Sequence, residues 1–304
     1  MVPRQSRERS WIFNYFGSGL IWGSSFFFIA IANTSFSPIG LAFWRCLLGA
    51  LTLYSIILWR RIVIPRDWKL FGLSFAVGSF NTALPFALFA YGEHHVSSAF
   101  AGMANAITPV ATVIALLTIF RGEKVSRNQI IGLFVGVIGV LTLIGIWDGI
   151  QTDSWLAVVA VVVAASCYGF GGPFIRRFIQ PRGAAMEVAA LGQIGGATII
   201  LAPFYFSQPV LLTGELTWNS VGAICVLGIF GTGIAYTLYY PLLKQVGSAV
   251  SSSVTLLTPL IAVSLGVLLL GEQLKWFEPV GGLIILFGAA IAQGIFRKRK
   301  SLSM

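Results

Sequence analysis

Ten apolar stretches of about 20 residues, separated by short polar gaps, follow one another along the 304-residue chain. A helix of about 20 apolar residues is long enough to cross a hydrocarbon core of about 30 Å. The pattern therefore predicts an all-α polytopic membrane protein with ten transmembrane helices. We expect these helices at residues 12–32, 38–59, 70–91, 97–120, 129–147, 154–175, 186–206, 218–241, 248–270 and 277–296.

The basic residues occupy both ends of the chain and every second gap between the apolar stretches. The alternate gaps contain only Lys275, and Arg45 lies inside the second stretch. Cytoplasmic loops of membrane proteins carry an excess of Lys and Arg, so the distribution predicts that both termini are cytoplasmic. The residues on that side are Arg4, Arg7, Arg9, Arg60, Arg61, Arg66, Lys69, Arg121, Lys124, Arg127, Arg176, Arg177, Arg182, Lys244, Arg297, Lys298, Arg299 and Lys300.

The composition favours a membrane protein and argues against nucleic-acid binding. Hydrophobic residues make up 57% of the chain and charged residues 10%, with a mean hydropathy of +0.86, whereas about a quarter of the residues of a soluble domain are charged. The net charge of +10 is divided among short loop clusters, which would lie at anionic lipid headgroups. We therefore expect a lipid bilayer, and no nucleic acid, as a partner.

The sequence contains no motif for catalysis, for a metal or for another cofactor. Cys46, Cys167 and Cys225 lie inside apolar stretches and have no CxxC spacing. His94 and His95 follow one another in a loop, and adjacent residues do not by themselves complete a metal site. A GxxxxGK[ST] loop, a GxSxG elbow and an HExxH helix are all missing from the sequence. We therefore expect no enzyme and no cofactor.

The second half of the chain repeats the first. The offset is 150 residues, and it becomes 149 after a single-residue gap. The chain therefore divides into one five-helix unit at residues 12–147 and a second at residues 154–296. The matched residues include Thr82 and Thr232, Ser98 and Ser248, Ala99 and Ala249, Thr108-Pro109 and Thr258-Pro259, and Gly122-Glu123 and Gly271-Glu272.

Because five is an odd number, the second unit crosses the membrane in the opposite sense to the first. Glu123 then lies in a cytoplasmic loop and its counterpart Glu272 lies in an outside loop. Two such inverted repeats, related by an axis in the membrane plane, can open to either side by exchanging the conformations of the two halves. The repeat is therefore typical of alternating access.

With these motifs the chain resembles the EamA branch of the drug/metabolite transporter superfamily over residues 12–296. The second unit departs from the first, because Cys167-Tyr168 and Gln193 replace Trp22-Gly23 and Arg45. The resemblance implies a bacterial inner-membrane carrier, often an exporter of amino acids, related metabolites or drugs, with a central cavity built from helices of both units. It is carried by Trp22-Gly23-Ser24, Arg45, Pro109 with Gly122-Glu123, and Pro259 with Gly271-Glu272.

Arg45 is the only basic residue inside an apolar stretch. Placing Arg in the middle of a membrane helix costs about 2.5–3.5 kcal/mol on insertion scales, so something must compensate the cost. A guanidinium can bind a carboxylate with two hydrogen bonds, which makes Arg45 a candidate site for an anionic group of the solute. Alternatively, Arg45 extends toward the membrane surface or bonds carbonyl groups of neighbouring helices.

Further candidates for contact with a solute lie within other stretches. Rings and hydroxyl groups suit an amphipathic solute, and buried amides suit a zwitterion. Each type also has a structural alternative, because amides can join neighbouring helices and Tyr side chains can anchor a helix at the lipid interface. The candidates are Trp22, Asn81, Asn105, Gln193, Tyr236 and Ser253.

The repeated Thr-Pro and Gly-Glu pairs are candidate moving parts. Pro109 and Pro259 each remove a helical N–H donor, giving either a pair of hinges or ordinary membrane kinks. Glu123 and Glu272 are candidate gate or coupling acids, and anchoring of helix ends is the alternative. The middle of every stretch lacks Asp and Glu, which favours facilitated diffusion or exchange, although Glu93 or a Gly-Glu acid could reach a water-filled vestibule.

Several glycines are placed where helices could approach closely or break. Three pairs have GxxxG spacing, which permits contact within the bundle or between the two copies of a homodimer. The segment 169–173 combines three glycines with a proline and could end or break the sixth helix. The GxxxG pairs are Gly19 and Gly23, Gly132 and Gly136, and Gly192 and Gly196.

Together these features predict a secondary transporter that moves small metabolites, such as amino acids or related amphipathic solutes, by alternating access, and that acts as an exporter. A channel or a drug efflux facilitator is one alternative, and a membrane scaffold or sensor without transport is another. A channel would give flux that does not saturate, and a scaffold would give none. The expected partners are a small-molecule solute and the bilayer.

Overall fold

The computed structural model describes residues 4–120, 126–145, 155–208 and 211–292. These residues form helices and connecting loops, with no strand beyond one isolated bridge between Phe36 and Leu212. We number the helical segments α1 (Arg4–Ala32), α2 (Pro38–Trp59), α3 (Trp68–Gly92), α4 (Ser98–Thr118), α5 (Arg127–Ile144), α6 (Trp155–Arg182), α7 (Met186–Phe206), α8 (Trp218–Val246), α9 (Ser248–Leu270) and α10 (Phe277–Ala292).

Eight of these segments are long and apolar enough to cross a membrane, and the described parts of α5 and α10 are shorter apolar helices. Large apolar side chains cover their outward faces, as expected for surfaces that contact lipid. Trp59, Trp68, Trp218 and Trp276 are exposed at helix ends, where aromatic rings anchor a protein at the headgroup level. The expectation of an all-α, multi-pass membrane protein is confirmed.

Side-chain caps fix where several helices begin. The hydroxyl of Ser37 accepts the N–H of Gly40 at 3.1 Å before Pro38 starts α2. Asp67 caps α3, Ser97 caps α4, and Thr217 forms a reciprocal capping box at the start of α8. Each cap satisfies backbone donors that have no partner inside the helix. The polar gaps of the sequence therefore act as helix boundaries.

Four helices contain irregular turns at equivalent positions in the two halves. A π turn interrupts α3 at Ser79–Ala83 and α8 at Ile229–Ile234, so the turns start at residues 79 and 229, an offset of 150. A 3₁₀ turn precedes each Thr-Pro pair, at Asn105–Ile107 in α4 and Ser253–Leu256 in α9. The prolines sit in the first turn after these breaks, where a missing N–H donor costs least.

The glycine-rich part of α6 serves close packing instead of ending the helix. The α-helix continues through Pro173 to Phe174, and a π turn at Ile175–Ile179 carries it toward Arg182. At Gly169 a Cβ would come within 2.6 Å of backbone atoms of α4, so only glycine allows this approach. The segment 169–173 therefore does not end the span, as the sequence allowed, and the irregular turn begins at Ile175, two residues after Pro173.

The three GxxxG pairs make their close contacts within the chain. Gly19 and Gly23 face side chains of α9, and Gly192 and Gly196 face α3. In α5, Gly136 and the carbonyl oxygen of Gly132 lie against Gly288 of α10. Small residues let backbones approach closely where lipid offers no hydrophobic drive for helix association. These glycines therefore explain contacts inside one molecule.

Helices from the two halves interlock. α1 packs on α8 and α9, α2 and α3 pack on α7, α4 packs on α6 and α9, and α5 packs on α10. The largest apolar cluster combines residues of both halves, among them Phe43, Phe86, Ile194 and Tyr240. The space between the halves is consequently lined by both.

The loops group at the two ends of the bundle. At one end Asn33 donates from Nδ2 to the carbonyl oxygen of Ala90 at 2.9 Å, and Ser98 donates its N–H to Glu272 Oε1 at 2.8 Å. We call this the Glu272 end. At the other end, which we call the basic end, the loop before α3 forms ion pairs with the end of α6 and the first turn of α7.

Candidate functional site

A cavity lies between the two halves, with about 690 Å³ of empty space counted to its mouth. Small-molecule sites are mostly apolar with a few well-placed polar groups, and the lining of this cavity contains both kinds of side chain. Apolar and aromatic side chains form one part of the wall, including Trp22, Phe26, Phe86 and Phe89. The polar part consists of Ser25, Arg45, Asn81, Asn105, Thr108, Tyr168, Tyr236, Tyr239, Ser251, Ser252 and Thr255.

Arg45 reaches this cavity from α2 and is only 4% exposed. Its guanidinium carbon lies 3.8 Å from the centre of the Phe86 ring, a cation–π contact that offsets part of the cost of burial. Its Nε donates to Thr232 Oγ1 at 3.1 Å, which is its only hydrogen bond among the described residues. In the same part of the chain no carboxylate forms an ion pair with it. The two terminal nitrogens therefore remain as donors for a ligand.

The Arg45–Thr232 bond has a counterpart on the other side of the bundle. Gln193 of α7 donates from Nε2 to Thr82 Oγ1 at 2.7 Å. Thr82 and Thr232 lie in the π turns of α3 and α8. In both bonds the second helix of one half, α2 or α7, therefore contacts the third helix of the other half, α8 or α3. A positive charge stands on one side and a neutral amide on the other. The polar character of the cavity is consequently asymmetric.

Two amides supply hydrogen-bonding groups to the cavity wall, Asn81 from α3 and Asn105 from α4. Asn105 donates from Nδ2 to Thr258 Oγ1 at 3.4 Å, and Thr108 donates to Asn105 Oδ1 at 3.4 Å. Both bonds are long, and they lie beside the Thr-Pro breaks. Asn81 Oδ1 is buried without a partner in the described chain. Because an unpaired buried acceptor is costly, Asn81 Oδ1 is available to accept a hydrogen bond from a bound solute or water.

An aromatic corner completes the site. Trp22 donates its indole N–H to the carbonyl oxygen of Gly231 at 3.2 Å, which fixes the ring against α8. Its ring centre lies 4.9 Å from that of Tyr239 and 5.9 Å from that of Tyr236. Tyr168 stacks on Phe89 with 5.9 Å between centres. Such rings offer apolar faces and hydroxyl groups to an amphipathic ligand.

The sequence profile of the EamA-like transporter family matches residues 9–145 and matches again at residues 155–293. The chain belongs to this family.

Named relatives of this EamA family protein are transporters. An "Uncharacterized transporter" of Archaeoglobus fulgidus is 29% identical over 280 residues, covering 91% of this chain and 95% of the relative. The "Uncharacterized inner membrane transporter YedA" of Escherichia coli (strain K12) is 26% identical, covering 90% and 87%. A "Probable amino-acid metabolite efflux pump" of Salmonella typhimurium is 25% identical, covering 93% and 94%. Together with the apolar helices, they support a multi-pass inner membrane protein.

A solved structure described as "Crystal structure of protein" has the same fold as this EamA protein. The TM-score is 0.70, and the match covers 95% of this chain and 99% of the other. At 17% sequence identity the likeness concerns the fold alone.

Five of the seven residues that the sequence predicted to contact a solute line the cavity of the EamA protein. They are Trp22, Arg45, Asn81, Asn105 and Tyr236. Gln193 lies behind this wall, where it also accepts the hydroxyl of Tyr240 at 2.5 Å. Ser253 faces α1, since its carbonyl oxygen accepts the Tyr15 hydroxyl at 2.8 Å. Gln193 and Ser253 are therefore near the site without lining it.

The predicted moving parts occupy distinct places. Pro109 and Pro259 each follow a threonine beside the cavity, and Thr108 itself lines it. Glu272 Oε1 and Oε2 accept the N–H groups of Ser98 and Ala99 at 2.8 and 3.0 Å. The second half thus holds the start of α4 in the first half. Glu123 lies outside the described residues.

Sequence reasoning missed several members of the wall. Phe86 and Phe89 are ordinary apolar residues in an apolar helix, so nothing in their type distinguishes them. Tyr168 was visible only as a departure from the first repeat, where Trp22-Gly23 corresponds to Cys167-Tyr168. The first repeat has its aromatic ring at Trp22, and the second has it one position later, at Tyr168. This shift of the ring is the one signal that could have identified Tyr168.

Two ion pairs join the halves at the basic end. Arg182 donates from Nε and Nη2 to both carboxylate oxygens of Asp67, at 2.5 and 2.7 Å, and Arg60 pairs with Glu187 at 3.2 Å. The bonds from Arg182 hold the pKa of Asp67 below its usual range. Because Asp67 also caps α3, this pair ties a helix start of one half to the end of α6 in the other.

Proposed function

We propose that this EamA family protein is a secondary transporter that exports amino acids or related small amphipathic metabolites by alternating access. The observation that carries the proposal is the cavity between the halves, in which Arg45 presents two nitrogens without a partner among the described residues. A solute carboxylate would neutralise this buried charge with paired hydrogen bonds. The aromatic corner at Trp22 and Tyr239 would hold its apolar part.

The proposed architecture is ten spans in two inverted five-helix repeats, at 12–147 and 154–296. Three observations support it: the family profile matches twice, the helix breaks recur at an offset of 150, and Arg45–Thr232 mirrors Gln193–Thr82. Counterparts that bond across the halves are what a twofold axis in the membrane plane would produce. With the basic end in the cytoplasm, both termini are cytoplasmic and the Glu272 end is outside.

The transport cycle would use the weak points of the helices. The 3₁₀ turns before Pro109 and Pro259 lack regular helical bonds, so α4 and α9 can bend there beside the cavity. Glu272 would keep the Glu272 end closed by holding the first turn of α4, and release of this contact would open it. In this proposal Glu123 has the equivalent role at the opposite end, as the repeat predicts.

Within the cavity, Asn81, Asn105 and Tyr236 would complete solute recognition. Asn81 Oδ1 needs a donor, which an ammonium or hydroxyl group of the solute would supply. A carboxylate at Arg45 and a donor group at Asn81 describe an amino acid or a related metabolite. Outward movement is supported by the relative named as an amino-acid metabolite efflux pump.

Counterflow in proteoliposomes tests this proposal. The purified chain is reconstituted into liposomes preloaded with one unlabelled solute class, and uptake of the matching labelled solute is measured. The classes are amino acids, small peptides, nucleosides and cationic drugs. We expect saturable, transient accumulation of amino acids. Flux that never saturates would indicate a channel, saturable flux of cations alone would indicate a drug efflux facilitator, and no flux of any class would indicate a scaffold or sensor.

A further inference from the structure

Glu93 is a buried carboxylate that the transport site does not use. It follows the last turn of α3, where its N–H donates to the carbonyl oxygen of Phe89 at 2.9 Å. Residues four apart share one face of a helix, so the Glu93 side chain lies one turn beyond the Phe89 ring that lines the cavity. It therefore stands between the cavity and the Glu272 end.

The surroundings of Glu93 provide no counter-charge in contact. Both carboxylate oxygens are buried and have no hydrogen-bond partner in the described chain. Arg45 is near enough to act on Glu93 through its charge, although the two form no ion pair. An ionised carboxylate without partners is very costly to bury, and such a group takes up a proton instead.

The neighbouring Glu272 has the opposite environment. Its oxygens accept two N–H groups at the start of α4, where hydrogen bonds and the helix dipole favour a negative charge. Burial, and then the nearby Glu272 carboxylate, raise the pKa of Glu93 well above its usual range, while Arg45 acts against them. Glu272 thus has two hydrogen-bond donors in contact, and Glu93 has none in the described chain.

The other titratable groups near Glu93 do not supply the missing partner. Tyr168 of α6 stacks on Phe89, and its phenol is not bonded to the carboxylate. His94 and His95 follow Glu93 in the same loop and are exposed, with the His95 ring lying 5.2 Å from the Tyr91 ring. Asp148 and Asp153, which precede α6, lie outside the described residues.

We propose that Glu93 is a proton-binding site whose occupancy controls opening of the Glu272 end. With this end closed, the carboxyl group is cut off from water and carries a proton. When Glu272 releases α4 and water enters, the O–H bond breaks, the proton passes to water and the carboxylate stays behind. Closing again requires one proton from the medium at that end. Acid conditions there consequently favour the closed state.

The link to transport rests on the proposed function, whereas the protonation state does not. If the protein moves solutes by alternating access, each opening of this end is accompanied by release of one proton. The repeat offers no equivalent acid in the other half, because an offset of 150 places Leu243 opposite Glu93. The proton dependence would therefore belong to one end only.

Infrared difference spectroscopy tests the protonation state without any solute. A protonated carboxylic acid has a C=O stretching band separate from those of carboxylates and peptide groups. We expect the full-length wild type in liposomes to show this band at neutral pH, and Glu93→Gln to lose it. Glu187→Gln is the matched control, because Glu187 is ion-paired with Arg60 and should leave the band unchanged. A wild type without the band, or a Glu93→Gln variant that keeps all of it, would overturn the proposal.

Pulsed electron paramagnetic resonance tests the control of opening. Spin labels at His95→Cys and Gln273→Cys report the distance between the two loops of the Glu272 end, both positions being exposed, in a background where the native cysteines are Ala. The distance should lengthen as pH rises through the titration of Glu93, and Glu93→Gln should keep it short at every pH. The same pH response in Glu93→Gln would refute the role of Glu93. Neither measurement requires transport, so failure of the proposed function would be recognised separately.

Discussion

At the scale of single residues, the most consequential feature is a buried arginine that is only partly satisfied. Thr232 takes one of the five N–H donors of Arg45, and the ring of Phe86 covers the face of the guanidinium. These contacts orient the side chain and leave its bidentate edge available. A structural arginine that bonded neighbouring carbonyl groups would instead have its terminal nitrogens occupied. The geometry therefore fits ligand binding better than snorkelling.

Replacement of Arg45 should change selectivity more than folding. Arg45→Ala removes two charge-assisted hydrogen bonds to a solute carboxylate, each worth about 1.5–3 kcal/mol, so the KM for carboxylate solutes should rise by about 10-fold or more. Arg45→Lys keeps the charge but loses the planar guanidinium, so its KM for carboxylate solutes should lie between those of the wild type and Arg45→Ala. Solutes that lack a carboxylate are the internal control. An equal loss for both solute types, with poor recovery of folded protein, would assign Arg45 a structural role.

At the scale of helices, the irregular turns and the bonds across the halves define what can move. The first turn of α4 has two N–H groups held by Glu272, a residue of the loop before α10. The regular helical hydrogen bonds of this first part of α4 end at the 3₁₀ turn before Pro109. The seven residues between these points, Ser98–Ala104, are therefore a short rigid piece with a carboxylate clamp at one end and a weak joint at the other.

Loss of the Glu272 clamp should expose the start of α4. In Glu272→Ala the amides of Ser98 and Ala99 lose both acceptors, and Glu272→Gln keeps one uncharged acceptor in place of two charged ones. Hydrogen exchange of these amides should accelerate by about 10-fold or more in the alanine variant, and less in the glutamine variant. Mass spectrometry of peptides covering residues 97–104 measures this. Unchanged exchange in both variants would mean that Glu272 does not hold this end closed.

At the scale of the whole molecule, the sequence predicted the fold well because apolar length and loop charge act locally. The breaks of α4 and α9 lie beside the Thr-Pro pairs that the sequence had marked, whereas the capping roles of Asp67 and Thr217 were recognised only in the structure. The site was harder to predict, because it depends on which side chains from distant parts of the chain meet in the folded protein. Gln193 and Arg45 occupy equivalent positions in the two halves, yet only Arg45 reaches the cavity. Phe86 and Phe89 line the wall for the same reason, without any local signal. Nor could the sequence indicate that the Glu93 carboxylate is buried without a hydrogen-bond partner in the described part of the chain.

The central claim is that two halves of opposite orientation enclose one shared cavity. Its most direct test is the sidedness of Ser126→Cys, just before α5, and Gln273→Cys, between α9 and α10, both at exposed positions. Intact cells are treated with a membrane-impermeant maleimide and then labelled again after permeabilisation. We predict labelling of position 273 from outside and of position 126 only after permeabilisation. Labelling of both positions from the same side of the membrane would contradict the inverted arrangement.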